Sequence, residues 1–413
     1  MSTRILVCAM FALAGLRAVA QTTALRDLLA EAEENNAEIQ AAAKEWKAST
    51  YSRAQVSSLP ATQFSLQELS VGTPRPGAGL SNNNFAYIGV GASQEFPYPG
   101  KLRLKGVAAA AAADEQLAEV DVVRSRIGQQ VKAAYLRLAY LQQTLTMLNA
   151  SRFALGELIE SQLARYSAGQ GSEADILKAQ LERTKLLREV TMHHQEMAQA
   201  QADLKAALNR DQESADVIAE EFRASPIAKS IREIVHDTEQ KSPILTLDAR
   251  AISKQQADSD AARLARKPDF SAGYVYQRTG LDFPAYYMGT LSVMFPRKKR
   301  ADAEQAEASE RLAAASLMRE AHRQQQLSEV RKQYAAVLST EEELSEYRDG
   351  ILPQGQAAYK SALAALRSNT QPLDAVLTAL NANIEFQREY AQALLDHEMA
   401  VVHLETLTGE VLR

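Results

Sequence analysis

The sequence predicts a mainly α-helical fold with four β-strands, in which a unit of helix, strand, strand and helical hairpin occurs twice. Three observations support this prediction. Two helical stretches are very long, four segments of about ten residues alternate apolar and polar side chains, and both halves of the chain present these features in the same order. Alternation with a period of two is typical of strands, and apolar spacings of three and four are typical of helices.

The first twenty residues are predicted to be a secretory signal peptide. Arg4 supplies a positive charge, Ile5–Leu16 is mostly apolar, and Ala18–Ala20 places small residues before a cleavage site. The apolar stretch is shorter than the roughly 20 residues that a membrane-spanning helix needs. We therefore exclude residues 1–20 from the fold prediction; a buried N-terminal helix is the alternative.

Cysteine and charge content exclude several classes of protein. The only cysteine, Cys8, lies in the predicted signal peptide, so the mature chain has no disulfide, thiolate metal site, cysteine nucleophile or lipid anchor on a cysteine. Of the 46 Lys and Arg residues, Arg4 and Arg17 belong to the signal peptide, which leaves 44 against 51 Asp and Glu and a net charge of −7. Such a chain is a poor nucleic-acid binder. No mature segment has 18 consecutive apolar residues, so a membrane location would depend on strands.

The two halves correspond in their order of landmarks. Phe96-Pro97 ends one strand-like segment and Phe295-Pro296 ends another, about 200 residues later. In each half a proline, Pro60 or Pro268, opens the first strand-like segment. This correspondence predicts a tandem duplication. The assigned segments are residues 21–210 for the first repeat, 211–241 between the repeats and 242–413 for the second repeat.

Long helices dominate the prediction. Leu102–Tyr166 contains no proline, and its apolar residues recur at spacings of 4, 3, 4 and 3. The members of this seam are Ala134, Leu138, Leu141, Leu145 and Leu148, and the seam of the second half is Leu373, Leu377, Leu380 and Ile384. Such spacings indicate coiled-coil packing. A helix of about 65 residues is on the order of 100 Å long, which predicts an elongated protein.

Each long helix is predicted to turn back through a short loop. Ser167–Gly171 contains two glycines that end the first helix, and Ser172 with Asp175 matches the pattern of a capping box. In the second half Ser368–Pro372 takes the corresponding place, with the proline near the first helical turn. The chain therefore contains two helical hairpins, with tips at about residues 165–175 and 359–374.

Four segments alternate with the period of a strand, at residues 62–71, 85–96, 269–277 and 286–295. Their length and their aromatic residues fit tilted membrane strands, but a soluble antiparallel sheet alternates in the same way. The pattern alone does not separate these alternatives. The smallest membrane barrels have about eight strands, so a membrane location predicts oligomerisation, and three copies would supply twelve strands.

Together these features resemble the TolC family of outer-membrane efflux proteins. The most specific similarity is at the first tip, where family members show a similar Arg-Tyr-x-x-Gly followed by a small polar residue, Asp, Leu and Ala-Gln. The matching residues here are Leu163 to Gly169, Ser172, Asp175, Leu177 and Ala179-Gln180. The second tip, Tyr359–Leu377, is a weaker copy that lacks the glycine pair.

The resemblance implies a fold class and a set of partners. The fold would be mainly α with a membrane β-barrel, and a homotrimer would form a 12-stranded barrel in outer-membrane lipid and a 12-helix α-barrel in the periplasm. A periplasmic adaptor (membrane fusion) protein would touch the tips, and an inner-membrane pump, commonly of the resistance–nodulation–division class, would supply energy. The channel would pass drugs, metal ions or other solutes without any cofactor. Residues 211–241 would lie in the equatorial region of the helical barrel.

Nine residues near the tips are candidates for a periplasmic gate or an adaptor contact: Arg165, Tyr166, Gly169, Gly171, Asp175, Tyr359, Arg367, Asn369 and Asp374. Arg and Tyr side chains there would hold a closed state by hydrogen bonds, whereas a snorkelling Arg and a packing Tyr are the ordinary structural alternatives. The glycines favour turn conformations. Asp175 and Asp374 would either face the pore or stabilise a helix N-terminus, and capping is favoured for Asp175.

No motif predicts catalysis or a metal site. The sequence lacks a P-loop, a Gly-x-Ser-x-Gly motif and a Gly-x-Gly-x-x-Gly motif between a strand and a helix. His193 and His194 are adjacent, and so would point about 100° apart on a helix. His397 and His403 are six residues apart. Neither pair has the i, i+4 spacing of a helical metal site, and an enzyme is not expected.

Two other interpretations stay open. A soluble periplasmic coiled-coil scaffold or adaptor would also contain helical hairpins, although an adaptor has one hairpin with a lipoyl-like β-domain between its arms. The cargo would alternatively be a secreted peptide or protein, because the channel would look the same.

Overall fold

The computed structural model describes residues 22–81, 83, 85–221, 223–224, 226–279 and 285–412. The predicted signal peptide lies outside these residues. The first half contains α1 (Leu25–Asn35), α2 (Ala37–Ser57), β1 (Gln63–Leu69), β2 (Tyr87–Phe96), α3 (Lys101–Ser167) and α4 (Glu173–Ala207). The second half contains α5 (Ile231–Lys241), α6 (Pro243–Arg263), β3 (Asp269–Thr279), β4 (Tyr286–Met294), α7 (Lys298–Glu346), α8 (Leu352–Arg367) and α9 (Leu373–Thr408). Both halves have the same order of elements when α7 and α8 are counted as one helical stretch.

Two irregularities divide helical stretches. Asn36 separates α1 from α2, and its side-chain oxygen accepts hydrogen bonds of 2.9 and 3.3 Å from the second and third amides of α2. This caps the N-terminus of α2. A π-helical turn over Tyr347–Ile351 joins α7 to α8. Pro353 has no N–H to donate to the carbonyl four residues earlier, which explains why the regular pattern is interrupted there.

The chain divides into two compact units. The first, called the tip unit, lies within Met1–Ala32, Gln130–Ala224 and Glu342–Glu398, and the second, called the strand unit, lies within Glu33–Gln129, Ser225–Glu341 and Met399–Arg413. In the tip unit, seam residues of both hairpins pack in one apolar core, among them Leu148, Leu373, Leu377, Leu380 and Ile384. The core of the strand unit includes Ile234, Val330, Val337, Val401 and Leu404. None of the described helices is both long and apolar enough to cross a membrane.

The four strands form one antiparallel sheet in the order β1-β2-β3-β4, within the strand unit. The pairing of β2 with β3, which places Phe96 opposite Phe270, joins the strands of the two halves. β1 and β4 are the edge strands.

The register gives this sheet an apolar face, because residues paired across strands share a face and faces alternate along each strand. The members of the apolar face include Phe64, Leu66, Ile88, Val90, Ala92, Phe96, Phe270, Ala272, Tyr274, Tyr276, Tyr287, Leu291 and Val293. Its polar members Glu68, Gln94 and Arg278 lie towards strand ends. The opposite face carries most of the Ser, Gln and Gly residues. Phe64 and Leu291 are 83% and 77% exposed, so the apolar face is open.

Candidate functional site at the hairpin tips

The first tip ends α3 with a regular turn. The amide of Gln170 donates to the carbonyl of Arg165 at 2.9 Å, and the amide of Gly169 donates to the carbonyl of Tyr166 at 2.9 Å. These bonds define a Schellman motif, which uses a left-handed residue after the helix, and Gly169 has φ of +71°. At Gly171, a Cβ would lie 3.0 Å from the amide nitrogen of Tyr166. Both glycines are explained by the shape of the turn.

The second tip contains the same motif with an asparagine. The amide of Thr370 donates to the carbonyl of Ala365 at 2.9 Å, and the amide of Asn369 donates to the carbonyl of Leu366 at 3.1 Å. Asn369 has φ of +62°, a conformation that Asn tolerates better than most residues. Asn369 therefore replaces Gly169 at an offset of 200 residues. The second tip was predicted to be a weaker copy because it lacks the glycine pair. Its Asn in place of Gly was not predicted, although Asn is the usual alternative at this position.

Arg165 connects the two tips. Its Nη1 donates to the carbonyl oxygen of Leu366 at 2.8 Å, and its Nη2 donates to Oδ1 of Asn369. Its Nε is buried and has no hydrogen-bond partner among the described residues. The Leu366 carbonyl also accepts the Asn369 amide, so Arg165 binds the turn that ends α8.

A second polar link joins the helices that leave the tips. Nζ of Lys178 on α4 lies 2.8 Å from a carboxylate oxygen of Asp374 on α9. This hydrogen bond raises the pKa of Lys178, with a smaller contribution from the nearby charge of Asp175. Further along the same helices, Nδ2 of Asn381 donates to Glu182 at 3.3 Å. Lys178 was not among the predicted site residues, because only the packing of α4 beside α9 brings it to Asp374.

The acidic candidates lie at the starts of the returning helices. The Ser172 hydroxyl accepts a 3.1 Å hydrogen bond from the amide of Ala174 and so caps α4. Asp175 is in the first turn of α4 and Asp374 in the first turn of α9. Negative charge is favourable at both positions because of the helix dipole. Asp374 therefore serves its helix terminus and also pairs with Lys178.

Three candidates make no hydrogen bond between the tips through their side chains, within the described residues. Tyr166 is 45% exposed. Tyr359 is half-buried against the core of the tip unit, and burial raises the pKa of its hydroxyl. Arg367 lines a shallow surface cleft with Leu363 and Ser368.

An exposed apolar ridge surrounds the first tip. It consists of Leu163 and Tyr166 near the end of α3 and Leu177 and Leu181 near the start of α4, which are 53%, 45%, 57% and 56% exposed. A cluster of exposed apolar side chains usually marks a surface that contacts another protein. The tips therefore combine polar links with exposed apolar side chains. In the part of the chain that the structure describes, no group of three His, Cys, Asp or Glu residues could hold a metal ion.

Comparison with known proteins identifies the class. Residues 28–210 match the model of the outer membrane efflux protein family. The outer-membrane channel OprN has a TM-score of 0.78 and 16% identity, with 93% of this chain and 89% of that chain covered. VceC, an outer membrane protein of Vibrio cholerae, has a TM-score of 0.76 and 16% identity, with 94% and 97% covered. The MtrE outer membrane channel of Neisseria gonorrhoeae, solved in its open state, has a TM-score of 0.76 and 18% identity, with 94% and 89% covered. No curated protein matches the sequence.

Residues 28–210 are thus similar to the outer membrane efflux protein family, and nearly the whole chain has the fold of outer-membrane channels. The predicted fold class of an outer-membrane efflux channel is confirmed, and the match over residues 28–210 supports the predicted family, outer-membrane location and efflux function.

Proposed function

We propose that this chain is the outer-membrane channel of a tripartite export system, in which three copies form one conduit that solutes cross passively. The observation that carries the proposal is the four-stranded sheet. It has one exposed apolar face, and its strands β1 and β4 each have one edge that pairs with no other strand among the described residues.

The apolar face supports insertion of the sheet into lipid. Leu66 on β1 and Leu291 on β4 are 78% and 77% exposed, and aromatic side chains lie on the same face. Soluble proteins rarely expose a contiguous apolar patch above a few hundred Å². Hydrocarbon around this face would remove the cost of hydrating it.

The free edges support a closed assembly of several chains. In lipid every backbone N–H and C=O group needs a partner, so an open sheet edge is not stable there. Pairing β1 of one copy with β4 of the next satisfies both edges, and three copies give a barrel of twelve strands. The same assembly would place six hairpins around a periplasmic helical barrel.

The tips are proposed as the periplasmic gate and the contact for the adaptor. The links from Arg165 to Asn369 and from Lys178 to Asp374 hold the two hairpins of one chain together at this end. Separation of the hairpins during opening would break such links. The apolar ridge around Tyr166 offers an adaptor a surface for burial, together with the turn residues Gly169 and Gly171.

Energy is proposed to come from partners rather than from this chain. A periplasmic adaptor and an inner-membrane pump of the resistance–nodulation–division class would deliver drugs, metal ions or other solutes, and the channel would catalyse no reaction. A secreted peptide or protein is the alternative cargo. A soluble periplasmic scaffold is disfavoured by the exposed apolar face and by the second hairpin.

The test compares neighbouring residues on opposite faces of β4. We expect Leu291→Asp to abolish the trimer in detergent extracts of the outer membrane, because the carboxylate would face lipid. Ser292→Asp, one residue along on the other face, is expected to assemble and to conduct ions in planar bilayers. A wild-type protein that is a soluble monomer or dimer in the periplasm would refute the channel.

A further inference from the structure

A basic surface lies at the end of the sheet from which the long helices leave. β2 ends at Phe96 and β4 ends at Met294, and the register places both ends beside the start of β3. The segments that follow contain Lys101, Arg103 and Lys105 in the first turns of α3, and Arg297, Lys298, Lys299 and Arg300 at the start of α7. We name these seven residues the basic collar.

Most of the collar is unpaired. Lys101 forms an ion pair of 2.9 Å with Asp269 and is thereby neutralised. The other six side chains form no ion pair among the described residues, and all six are exposed. Nearby acids balance them only in part, because Asp269 is paired with Lys101 and Asp302 lies 2.9 Å from Arg266. Glu95 and Glu304, which line the same cavity, are two acids against six unpaired basic side chains. The collar therefore carries a net positive charge, although the whole chain has a net charge of −5.

The collar places positive side chains at the positive end of a helix dipole in both halves of the chain. Neither α3 nor α7 has an acidic residue in its first turn. A helix N-terminus already carries a partial positive charge, and cations there destabilise the helix. The same unfavourable arrangement therefore occurs twice, at corresponding positions. An anion bound at the collar would offset both the side-chain charges and the dipoles.

The collar borders an aromatic rim and a cavity. Phe96, Phe270 and Phe295 lie at this end of the sheet, and Phe295 is 77% exposed. A cavity of about 1110 Å³ opens beside them, lined by Lys105, Arg297 and Arg300 among others. Its lining also includes the acids Glu95, Asp269 and Glu304. Aromatic side chains beside basic ones are typical of the boundary between hydrocarbon and lipid headgroups.

We propose that the basic collar binds the phosphate groups of anionic phospholipids in the membrane leaflet that faces the periplasm. The proposal rests on the proposed function, which places the sheet in the outer membrane and the helices in the periplasm. The apolar face of the sheet leads directly to the collar, so a lipid whose chains lie on that face presents its headgroup there. Basic clusters beside membrane segments bind anionic lipids in this way, with a contribution from each Lys or Arg.

The experiment uses the mature protein purified from outer membranes in mild detergent. It is titrated with dioctanoyl phosphatidylglycerol, with dioctanoyl phosphatidylcholine and with inorganic phosphate, and the midpoint of thermal unfolding is followed. We expect saturable stabilisation by phosphatidylglycerol alone, weakened at high salt. Replacing Arg297, Lys298, Lys299 and Arg300 together by Gln is expected to lower its apparent affinity at least about tenfold.

A charge-matched variant controls for net charge. It replaces Arg311, Arg319, Arg331 and Lys332, which are exposed further along α7, by Gln. Its affinity for phosphatidylglycerol is expected to stay within about twofold of the wild type, because these side chains lie away from the collar. An equal loss of affinity for phosphatidylglycerol in both variants would overturn the lipid site. Stabilisation of the wild type by phosphatidylcholine or phosphate equal to that by phosphatidylglycerol would also overturn it. Conductance in planar bilayers is measured on the same samples: if the wild type conducts but the collar variant binds lipid normally, the lipid site fails while the channel stands.

Discussion

Nη1 of Arg165 donates a 2.8 Å hydrogen bond to the carbonyl oxygen of Leu366, so the last turn of α3 is bonded to the last turn of α8. A second bond from the same guanidinium reaches the side chain of Asn369. The planar fork of Arg is suited to two acceptors held at a fixed angle, whereas Lys offers a point charge. The turn at the second tip supplies both acceptors.

Replacing Arg165 by Lys tests whether this link restrains the gate. Lys keeps the charge but does not reproduce both bonds. A hydrogen bond to a charged group contributes about 1.5–3 kcal/mol, so its loss would raise the open population on the order of tenfold if the bond exists only when the tips are closed. We expect a higher resting conductance in planar bilayers without the adaptor.

Arg152→Lys is the matched control. Arg152 is exposed on the same helix, α3. Its substitution is expected to leave the resting conductance unchanged. Equal conductance in both variants would mean that Arg165 supports the turn but does not restrain the gate.

Asn369 combines two roles that substitution by Gly separates. Gly adopts the φ of +62° without strain but removes the acceptor for Arg165. We therefore expect Asn369→Gly to raise the resting conductance as Arg165→Lys does. Its thermal midpoint should fall only by the loss of the bond to Arg165, because the left-handed turn is kept. A normal conductance would contradict the role of the Asn369 side chain.

Gly169→Ala is expected to lower the thermal midpoint. Its φ of +71° costs a residue with a side chain about 1–2 kcal/mol, so the thermal midpoint should fall. No atom outside the neighbouring backbone lies within 4 Å of a Cβ built there, so the cost is conformational rather than steric. An unchanged midpoint would show that the turn adapts without a left-handed residue.

Two helical glycines give a pair of predictions with opposite signs. A Cβ on Gly355 of α8 would lie 2.8 Å from Cδ2 of Phe386 on α9, whereas nothing lies within 4 Å of one on Gly156 of α3. Gly355→Ala is expected to destabilise by about 1–3 kcal/mol through overpacking. Gly156→Ala is expected to stabilise by up to about 1 kcal/mol through helix propensity. Thermal midpoints of both variants check this, and a shift of the same sign in each would contradict the close approach of α8 to α9.

Local rules explain why much of the architecture was predictable from the sequence. The seam residues Leu373, Leu377, Leu380 and Ile384 are spaced for packing, and the structure places them in the core of the tip unit. The turn at Gly169 follows from the glycine and the capping serine beside it. These features depend on neighbours within a few positions along the chain.

The polar links between the hairpins depend on how residues far apart in the sequence pack together. Arg165 and Asn369 are 204 residues apart, and Lys178 and Asp374 are 196 apart. Which residues face each other across two helices depends on their axial register, which spacing along one helix does not determine. Arg165, Asn369 and Asp374 were chosen for their position at a tip, and the partners were not predictable. The π-helical turn before Pro353 was missed because a proline near a helix start is ordinarily compatible with a regular helix.

The last prediction concerns a ring of charges that ties the end of the chain to α5. Lys229 lies 2.7 Å from Asp237 and 2.9 Å from Glu410, and Lys241 pairs with the same two carboxylates. Hydrogen bonds from Lys229 lower the pKa of Asp237, and those from Lys241 lower the pKa of Glu410. Hydrogen bonds to Asp237 and Glu410 raise the pKa of Lys229 to about 12.

These directions fix the pH range over which the ring stabilises the fold. Carboxylates with a lowered pKa contribute stability above their ordinary values, and this is lost as the pH falls through the folded values. A lysine with a raised pKa contributes below its ordinary value, and this is lost as the pH rises through about 12. The contribution is therefore complete between roughly pH 5 and pH 10.

Glu410→Gln tests this range because Gln resembles the protonated side chain. We expect the variant to melt below the wild type at neutral pH and the difference to shrink as the pH falls below about 4, where the wild-type carboxylate is itself neutralised. Glu310→Gln, at an exposed position of α7, is expected to match the wild type throughout. If the difference in thermal midpoint between Glu410→Gln and the wild type stays unchanged in acid, the charge of Glu410 does not produce the stabilisation. Packing of the segment around Glu410 would then produce it.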